Sequence, residues 1–326
     1  MNEQPVEEQL LPLPDGRTLA YASTGTASSS RVVIFFHGVF GVGTATNPLS
    51  PIFIEKGVHF IAPTLPGWGN TSPVPPHIPF HEQLYQDVSA LLSYLYPDDN
   101  ELELYISGGS FGTVPAQILY AAPYERFPAG RHIRGMLLLA PFSPFRVHKE
   151  YAKCLSWVNY VAVGPLSRVL PFKLASRLGR LVMENKVDTR EHAEAFLKDF
   201  VFKNMKHAER ELYENWKAAK GLKDGEELKQ MADGVYRSVQ KTWDGFMAVP
   251  SILHSSWGGY SPADLDEEHS KPVLLFLTKE DWEMTRMGEW LASKLKNARV
   301  RYGEGGHLGA LFIMDDIWRD FMSQFP

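Results

Sequence analysis

Two hydrophobic rhythms alternate along this chain. Continuous apolar runs at 31–36, 133–140 and 271–277 have the pattern of strands buried on both faces. Shorter runs at 58–62, 101–107 and 298–302 read the same way, and 10–13 and 18–23 form a strand pair around the turn Pro14-Asp15-Gly16-Arg17. Between these runs the period lengthens to that of a helix. Residues 80–96 carry Leu84, Val88, Leu91, Leu92 and Leu95 on one face and stop at Pro97, while 116–122 are Ala-rich. Residues 288–295 present Trp290, Leu291 and Leu295, and a closing helix is expected over 310–325. Strand-helix alternation of this kind predicts an α/β protein with a mostly parallel sheet and right-handed crossovers.

The alternation lapses in the middle. No strand pattern is recognisable over 145–256, a stretch too long for a loop of a compact domain. Asp188-Thr189-Arg190-Glu191 reads as a capping-box variant, opening a helix with Ala193, Phe196, Leu197 and Phe200 as its apolar positions. Residues 207–218 read as helix, 221–234 as a charged, mobile connection, and 236–253 as helix again. The expected organisation is a core of residues 1–144 and 257–326 with a helical lid at 145–256. Trp157, Trp216 and Trp243 either shape a pocket in this lid or form its own core.

Composition narrows the class. A chain of 326 residues that is 44% hydrophobic can bury a substantial core. Its net charge of −5 argues against nucleic acid and against an anionic membrane surface as partners. The single cysteine, Cys154, permits no intrachain disulfide and reads as a small buried hydrophobe. The polar N-terminus, residues 1–9, has no apolar signal region, so the expected setting is reducing and cytoplasmic.

Chemistry concentrates where strands end. The strand at 101–107 runs into Gly108-Gly109-Ser110-Phe111-Gly112 and then into a helix. A serine on so sharp a turn needs small neighbours, and its Oγ projects from the sheet. The same turn places the Phe111 N–H at a helix N-terminus, where negative charge is favoured. After the strand at 31–36 comes His37-Gly38-Val39-Phe40-Gly41, whose Val39 N–H is the expected second oxyanion donor. His37 itself reads as a loop-shaping group. Asp281 and His307 follow two later strands, His307 within Gly305-Gly306-His307-Leu308-Gly309. The order Ser110, Asp281, His307 fits a nucleophile, an acid that orients and stabilises the imidazolium, and a base. Glu280, adjacent to Asp281, is the rival acid. Phe40, Trp68 and Trp282 also follow strand ends and are candidates for substrate binding, although pinning its loop to the core is an equal reading for Trp68. No metal-ligand pattern is present.

These motifs together resemble the α/β-hydrolase superfamily, over nearly the whole chain. His37-Gly38-x-x-Gly41 resembles the oxyanion loop, Pro66-Gly67-Trp68-Gly69 the proline-glycine loop, and Gly108-x-Ser110-x-Gly112 the nucleophile elbow. The segment ending at Asp281 resembles the acid turn, and Gly305-Gly306-His307 the histidine loop. Two departures stand out: Thr278 where the family usually has glycine, and Met284-Thr285 where it has Val-Pro. The resemblance implies an α/β-hydrolase fold, an eight-stranded mostly parallel sheet flanked by helices with an inserted lid. It implies a cofactor-independent serine hydrolase that cleaves an ester or related acyl bond through an acyl-enzyme, with a small molecule, a hydrophobic ester, as the expected substrate. The Gly-Gly-Ser elbow also occurs in the proline iminopeptidase-like branch, so an aminopeptidase is one alternative. A ligand-binding protein or a lyase on the same fold are the others.

Overall fold

The computed structural model describes residues 4–97, 101–203 and 205–325, so the first three residues of the polar N-terminus lie outside it. Eight strands form one sheet: β1 (Gln9–Pro12), β2 (Thr18–Gly25), β3 (Arg31–Phe36), β4 (His59–Pro63), β5 (Glu103–Gly109), β6 (Ile133–Leu139), β7 (Val273–Thr278) and β8 (Ala298–Gly303). Their spatial order is β8-β7-β6-β5-β3-β4-β2-β1. The pairings from β8 through β4 are parallel, and β2 is antiparallel to both β1 and β4. A short ribbon pairs Gln4–Pro5 with Thr46–Asn47.

The apolar runs are continuous because both faces of the sheet are covered. Successive residues go to opposite sides. Val32, Ile34, Leu104, Ile106, Met136, Leu138 and Leu275 enter one core. Val33, Tyr105, Leu137, Leu274 and Phe276, their chain neighbours, enter the other. On the first face pack α2 (Phe80–Leu95), α3 (Thr113–Tyr120) and α11 (Trp282–Ala292). On the second pack α1 (Pro51–Glu55) and α12 (Met314–Met322), through Ile52, Phe53, Ile317, Trp318 and Phe321. The architecture is the expected α/β-hydrolase sheet.

Among the described residues no strand lies between β6 and β7. That stretch is helical: α4 (Trp157–Ala162), α5 (Pro165–Val169), α6 (Leu174–Val187), α7 (Arg190–Phe202), α8 (His207–Lys220), α9 (Glu226–Gln240) and α10 (Asp244–Leu253). Five local expectations change. The helix expected over 236–253 is two, α9 ending at Gln240 and α10 starting at Asp244. The cap of α7 is Thr189, whose hydroxyl accepts the His192 N–H, while Asp188 instead bonds the His192 ring at 2.6 Å. Residues 221–234 are not a connection throughout. Gly221 and Gly225, both at positive φ, make a short turn, and α9 begins at Glu226. Leu228, Ala232, Val235 and Val239 form its buried stripe, a helical spacing masked by the charged residues between them. The helix after β7 starts at Trp282, six residues earlier than its apolar face suggests, because Asp281 caps it. The closing helix is broken: a 3₁₀ turn at Gly309–Ile313 precedes α12.

Candidate active site

The turn after β5 carries the strain its sequence implies. Ser110 sits at φ +53°, in the left-handed region that side chains disfavour. The flanking glycines make the turn possible. A Cβ at Gly108 would stand 2.2 Å from the Gly112 carbonyl oxygen, and one at Gly112 would stand 2.0 Å from the Phe36 oxygen. The turn is braced from behind. Thr113 Oγ1 donates to the Ser110 carbonyl at 2.6 Å and accepts the Phe142 N–H at 3.1 Å, while Gln117 Nε2 donates to the Phe142 oxygen at 2.9 Å.

The three separated polar residues meet. Ser110 Oγ lies 2.9 Å from His307 Nε2, and His307 Nδ1 lies 2.5 Å from Asp281 Oδ2. Since the carboxylate accepts from Nδ1–H, Nε2 is the acceptor and Ser110 the donor. The imidazole is 30% exposed and the carboxylate 11%, so solvent can reach the ring while its partner stays sheltered.

Asp281 has two tasks. Its Oδ1 accepts the Met284 N–H at 3.4 Å, capping α11, and its Oδ2 faces His307. One carboxylate thus caps a helix and faces the imidazole at once. Glu280 points elsewhere: Oε2 accepts the Gly305 N–H at 2.7 Å and Oε1 pairs with Lys206 at 3.0 Å. Burial alone would raise its pKa, but Lys206 and the Gly305 N–H outweigh that and hold it below the usual glutamate range. The two departures from the family pattern also have local roles. Thr278 Oγ1 donates to the Gly306 carbonyl at 3.0 Å, tying the acid turn to the histidine loop. Thr285 Oγ1 donates to the Thr278 carbonyl at 2.8 Å, closing the first turn of α11.

His37 is structural. Its Nε2 accepts the Leu65 N–H at 2.9 Å, so Nδ1 carries the proton and donates to the Gly38 carbonyl at 2.8 Å. Complete burial pushes its pKa down to about 4, which keeps the ring neutral in this role. The loop it shapes passes directly over the serine: a Cβ on Gly38 would come within 3.3 Å of Ser110 Cβ. Val39 follows Gly38, and Phe111 lies in the first turn after the serine, where main-chain N–H groups have no acceptor within the helix.

The predicted binding residues fall in different places. Phe40 stacks on Phe246 with centroids 5.1 Å apart and meets Trp243 edge-on at 6.2 Å, so an aromatic cluster joins the loop after β3 to α10. Trp68 is buried beneath it, edge-on to His37 and Phe40 and against the Gly245 backbone, which favours the loop-pinning reading over pocket lining. Trp282 stands outside the cluster, half-exposed, with the Arg286 guanidinium 5.4 Å from its ring centroid. Of the other tryptophans, Trp243 belongs to the cluster, Trp216 packs on Phe312, and Trp157 faces solvent.

Sequence reasoning missed one residue here. Glu209, on α8, is buried, and its Oε1 accepts the Gly306 N–H at 2.9 Å, immediately before His307. The preceding Gly305 is at φ +96°, and a side chain there would collide with the Glu209 carboxylate. A lone glutamate in a charged helix gives no sequence signal of this contact. Among the described residues no group of three or more His, Cys, Asp or Glu side chains could hold a metal ion.

A family model described as serine aminopeptidase, S33, matches residues 27–216, more than half of the chain. The chain belongs to the serine aminopeptidase S33 family. The match includes the Ser110 turn and ends before Asp281 and His307. This S33 member is a hydrolase of the α/β-hydrolase type. Similar solved structures include a hydrolase from Pseudomonas aeruginosa PA01, with TM-score 0.61, 15% identity and 97% of each chain covered. An esterase from Exiguobacterium antarcticum has TM-score 0.59 and 14% identity over 98% of this chain and 99% of that one. An epoxide hydrolase from Vigna radiata has TM-score 0.60 and 14% identity over 98% of each. At such identities the likeness is one of fold. No curated protein matches the chain.

Proposed function

We propose that this S33-family hydrolase is a serine esterase that works through an acyl-enzyme. The observation that carries the reading is the continuous relay from Ser110 Oγ through His307 to Asp281, at 2.9 and 2.5 Å. Ser110 Oγ bonds to the substrate carbonyl carbon as His307 Nε2 takes its proton. The Val39 and Phe111 N–H groups receive the developing oxyanion. Asp281 stabilises the imidazolium, which then protonates the departing alcohol. Water, deprotonated by the same nitrogen, releases the acid and restores the serine.

Residues 145–256 act in this proposal as a lid. Two main-chain bonds support its docking: Gly245 N–H to the Gly67 carbonyl at 2.9 Å and Gly69 N–H to the Ser238 carbonyl at 2.9 Å. Glu209 reaches from the lid to the histidine loop as a positioning residue. The aromatic surroundings of Phe40 favour a small, neutral, apolar acyl substrate. The family description raises peptide amides as the other class. An aminopeptidase needs a carboxylate for the substrate ammonium, and three carboxylates that touch the histidine loop are already engaged, Asp281 by His307 and Glu209 and Glu280 by main-chain N–H groups.

Ser110→Ala is expected to lower kcat on a p-nitrophenyl ester by about 10⁶-fold. A fluorophosphonate is expected to label the wild type at Ser110 alone. Unchanged turnover by the variant, or labelling elsewhere, would sink the assignment. Faster wild-type turnover of aminoacyl amides than of matched esters would replace the esterase with a peptidase.

A further inference from the structure

Exposed apolar side chains are unevenly distributed. Of fifteen large exposed hydrophobic residues among those described, eight fall between Trp157 and Val182. Trp157 is 74% exposed, Phe172 83% and Leu181 66%. On α6, Leu174, Leu178, Leu181 and Val182 share one face at helical spacing, all exposed. The opposite side of α6 is turned to the aromatic cluster: a Cβ on Gly179 would contact the Phe246 ring at 3.4 Å. Phe172 and Lys173 both hold φ +55°, two unfavourable backbone conformations in succession at the turn that presents the most exposed phenylalanine.

Charge accompanies the apolar face. Residues 156–187 contain Arg168, Lys173, Arg177, Arg180 and Lys186 against one acid, Glu184, within a chain whose net charge is −5. Exposed large apolar side chains gathered on one face and rimmed by polar ones mark interaction surfaces. A second copy is a poor partner, because two-fold pairing would set this basic face against itself. A surface that is apolar in the middle, basic around it and fringed by Trp and Phe matches the boundary of an anionic bilayer. There the apolar side chains enter the acyl region and the long cationic ones reach back to the headgroups.

We propose that the outer face of residues 156–187 docks on an anionic phospholipid bilayer. The charge of the whole chain, which argues against such a partner, conceals a local surface of opposite sign. Docking would bring the helices that adjoin the Phe40 cluster to the membrane, so lipophilic substrate arrives without crossing bulk water. The proposal does not depend on the reaction catalysed.

The test is sedimentation of the full chain with vesicles of phosphatidylcholine mixed with phosphatidylserine, beside phosphatidylcholine alone. Partition onto the mixed vesicles is expected to be at least about 10-fold stronger and to weaken as salt is raised. The pair Phe172→Ser and Leu181→Ser should reduce binding to both vesicle types. The pair Lys173→Glu and Arg177→Glu should remove the preference for the anionic ones. Unaltered circular-dichroism melting and turnover of a water-soluble ester establish that both variants are folded. The proposal is overturned if the wild type does not sediment with the mixed vesicles at low salt. It is also overturned if neither variant changes partition, or if ultracentrifugation finds a dimer that Phe172→Ser and Leu181→Ser dissociate.

Discussion

At Gly108 and Gly112, on either side of Ser110, the chain is held by contacts that leave no room for a methyl group; along residues 157–187 it carries large side chains that touch little protein. At the turn, two glycines approach carbonyl oxygens to within 2.0 to 2.2 Å of where a Cβ would lie. On the outer helices, phenylalanine and leucine are mostly in water. In the first region a substitution acts through the fold and the chemistry together. In the second it acts through what the surface meets. Between them lies α10, which packs on α6 and bonds the proline-glycine loop through Gly245, while α8 reaches the histidine loop through Glu209.

The sharpest way to break this contrast is at the turn itself. Gly112→Ala should destabilise the protein by about 3 kcal/mol or more and abolish ester turnover, since the obstacle is backbone rather than a movable side chain. Gly109→Ala, three residues earlier, should cost no more than about 1 kcal/mol, because the nearest atom to its Cβ is 3.7 Å away. Urea midpoints and kcat for the pair test both claims. Similar losses in the two would mean that crowding does not set the turn.

The second effect is pH-dependent. Burial pushes His37 from the ordinary 6.5 down to about 4. The unfolded chain therefore binds a proton that the folded one refuses between those values. Stability from this group is complete above about pH 6.5 and declines as pH falls toward 4, by about 3 kcal/mol in all. His148, also pushed down to about 4 by burial, acts in the same window. Chemical denaturation from pH 7.5 to 5 should show the decline, with a shallower slope in His37→Gln.

Glu209→Ala is expected to cost about 2 kcal/mol by leaving the Gly306 N–H unpaired. It should lower kcat about 10-fold or more with little change in KM, and shift the pH profile of kcat through the altered histidine loop. Glu209→Gln keeps an acceptor oxygen and should recover most of kcat. An Ala variant with normal kcat would make the contact purely structural. Smallest of all, Leu181→Ser should change stability by no more than about 0.5 kcal/mol. A larger loss in urea denaturation would mean that this face has a partner within the molecule.

Legibility followed the same division. The strands, the elbow and the three polar residues were readable because each depends on nearby residue types: apolar runs for buried strands, glycine for close approach, a polar group at a strand end. The start of α11 was not, because the carboxylate of Asp281 that caps it also faces the imidazole, and pattern alone assigns one role at a time. The helix α9 was hidden by its charged face. Glu209 and the exposed face of α6 were illegible for a further reason. Both depend on how helices distant from the sheet are set against it, and helical spacing alone does not distinguish a buried stripe from an exposed one.

The links between the proline-glycine loop and the helices above it run from peptide group to peptide group, at Gly67 with Gly245 and at Gly69 with Ser238. Such links read no side chain, provided Gly245 keeps none, since a Cβ there would lie 2.4 Å from Trp68 Nε1. Elsewhere on α9 and α10 mutations can therefore accumulate while the attachment persists, and if these helices form the proposed lid, its inner side chains are free to diverge without loosening it. A descendant with a new substrate range could arise here by side-chain drift alone.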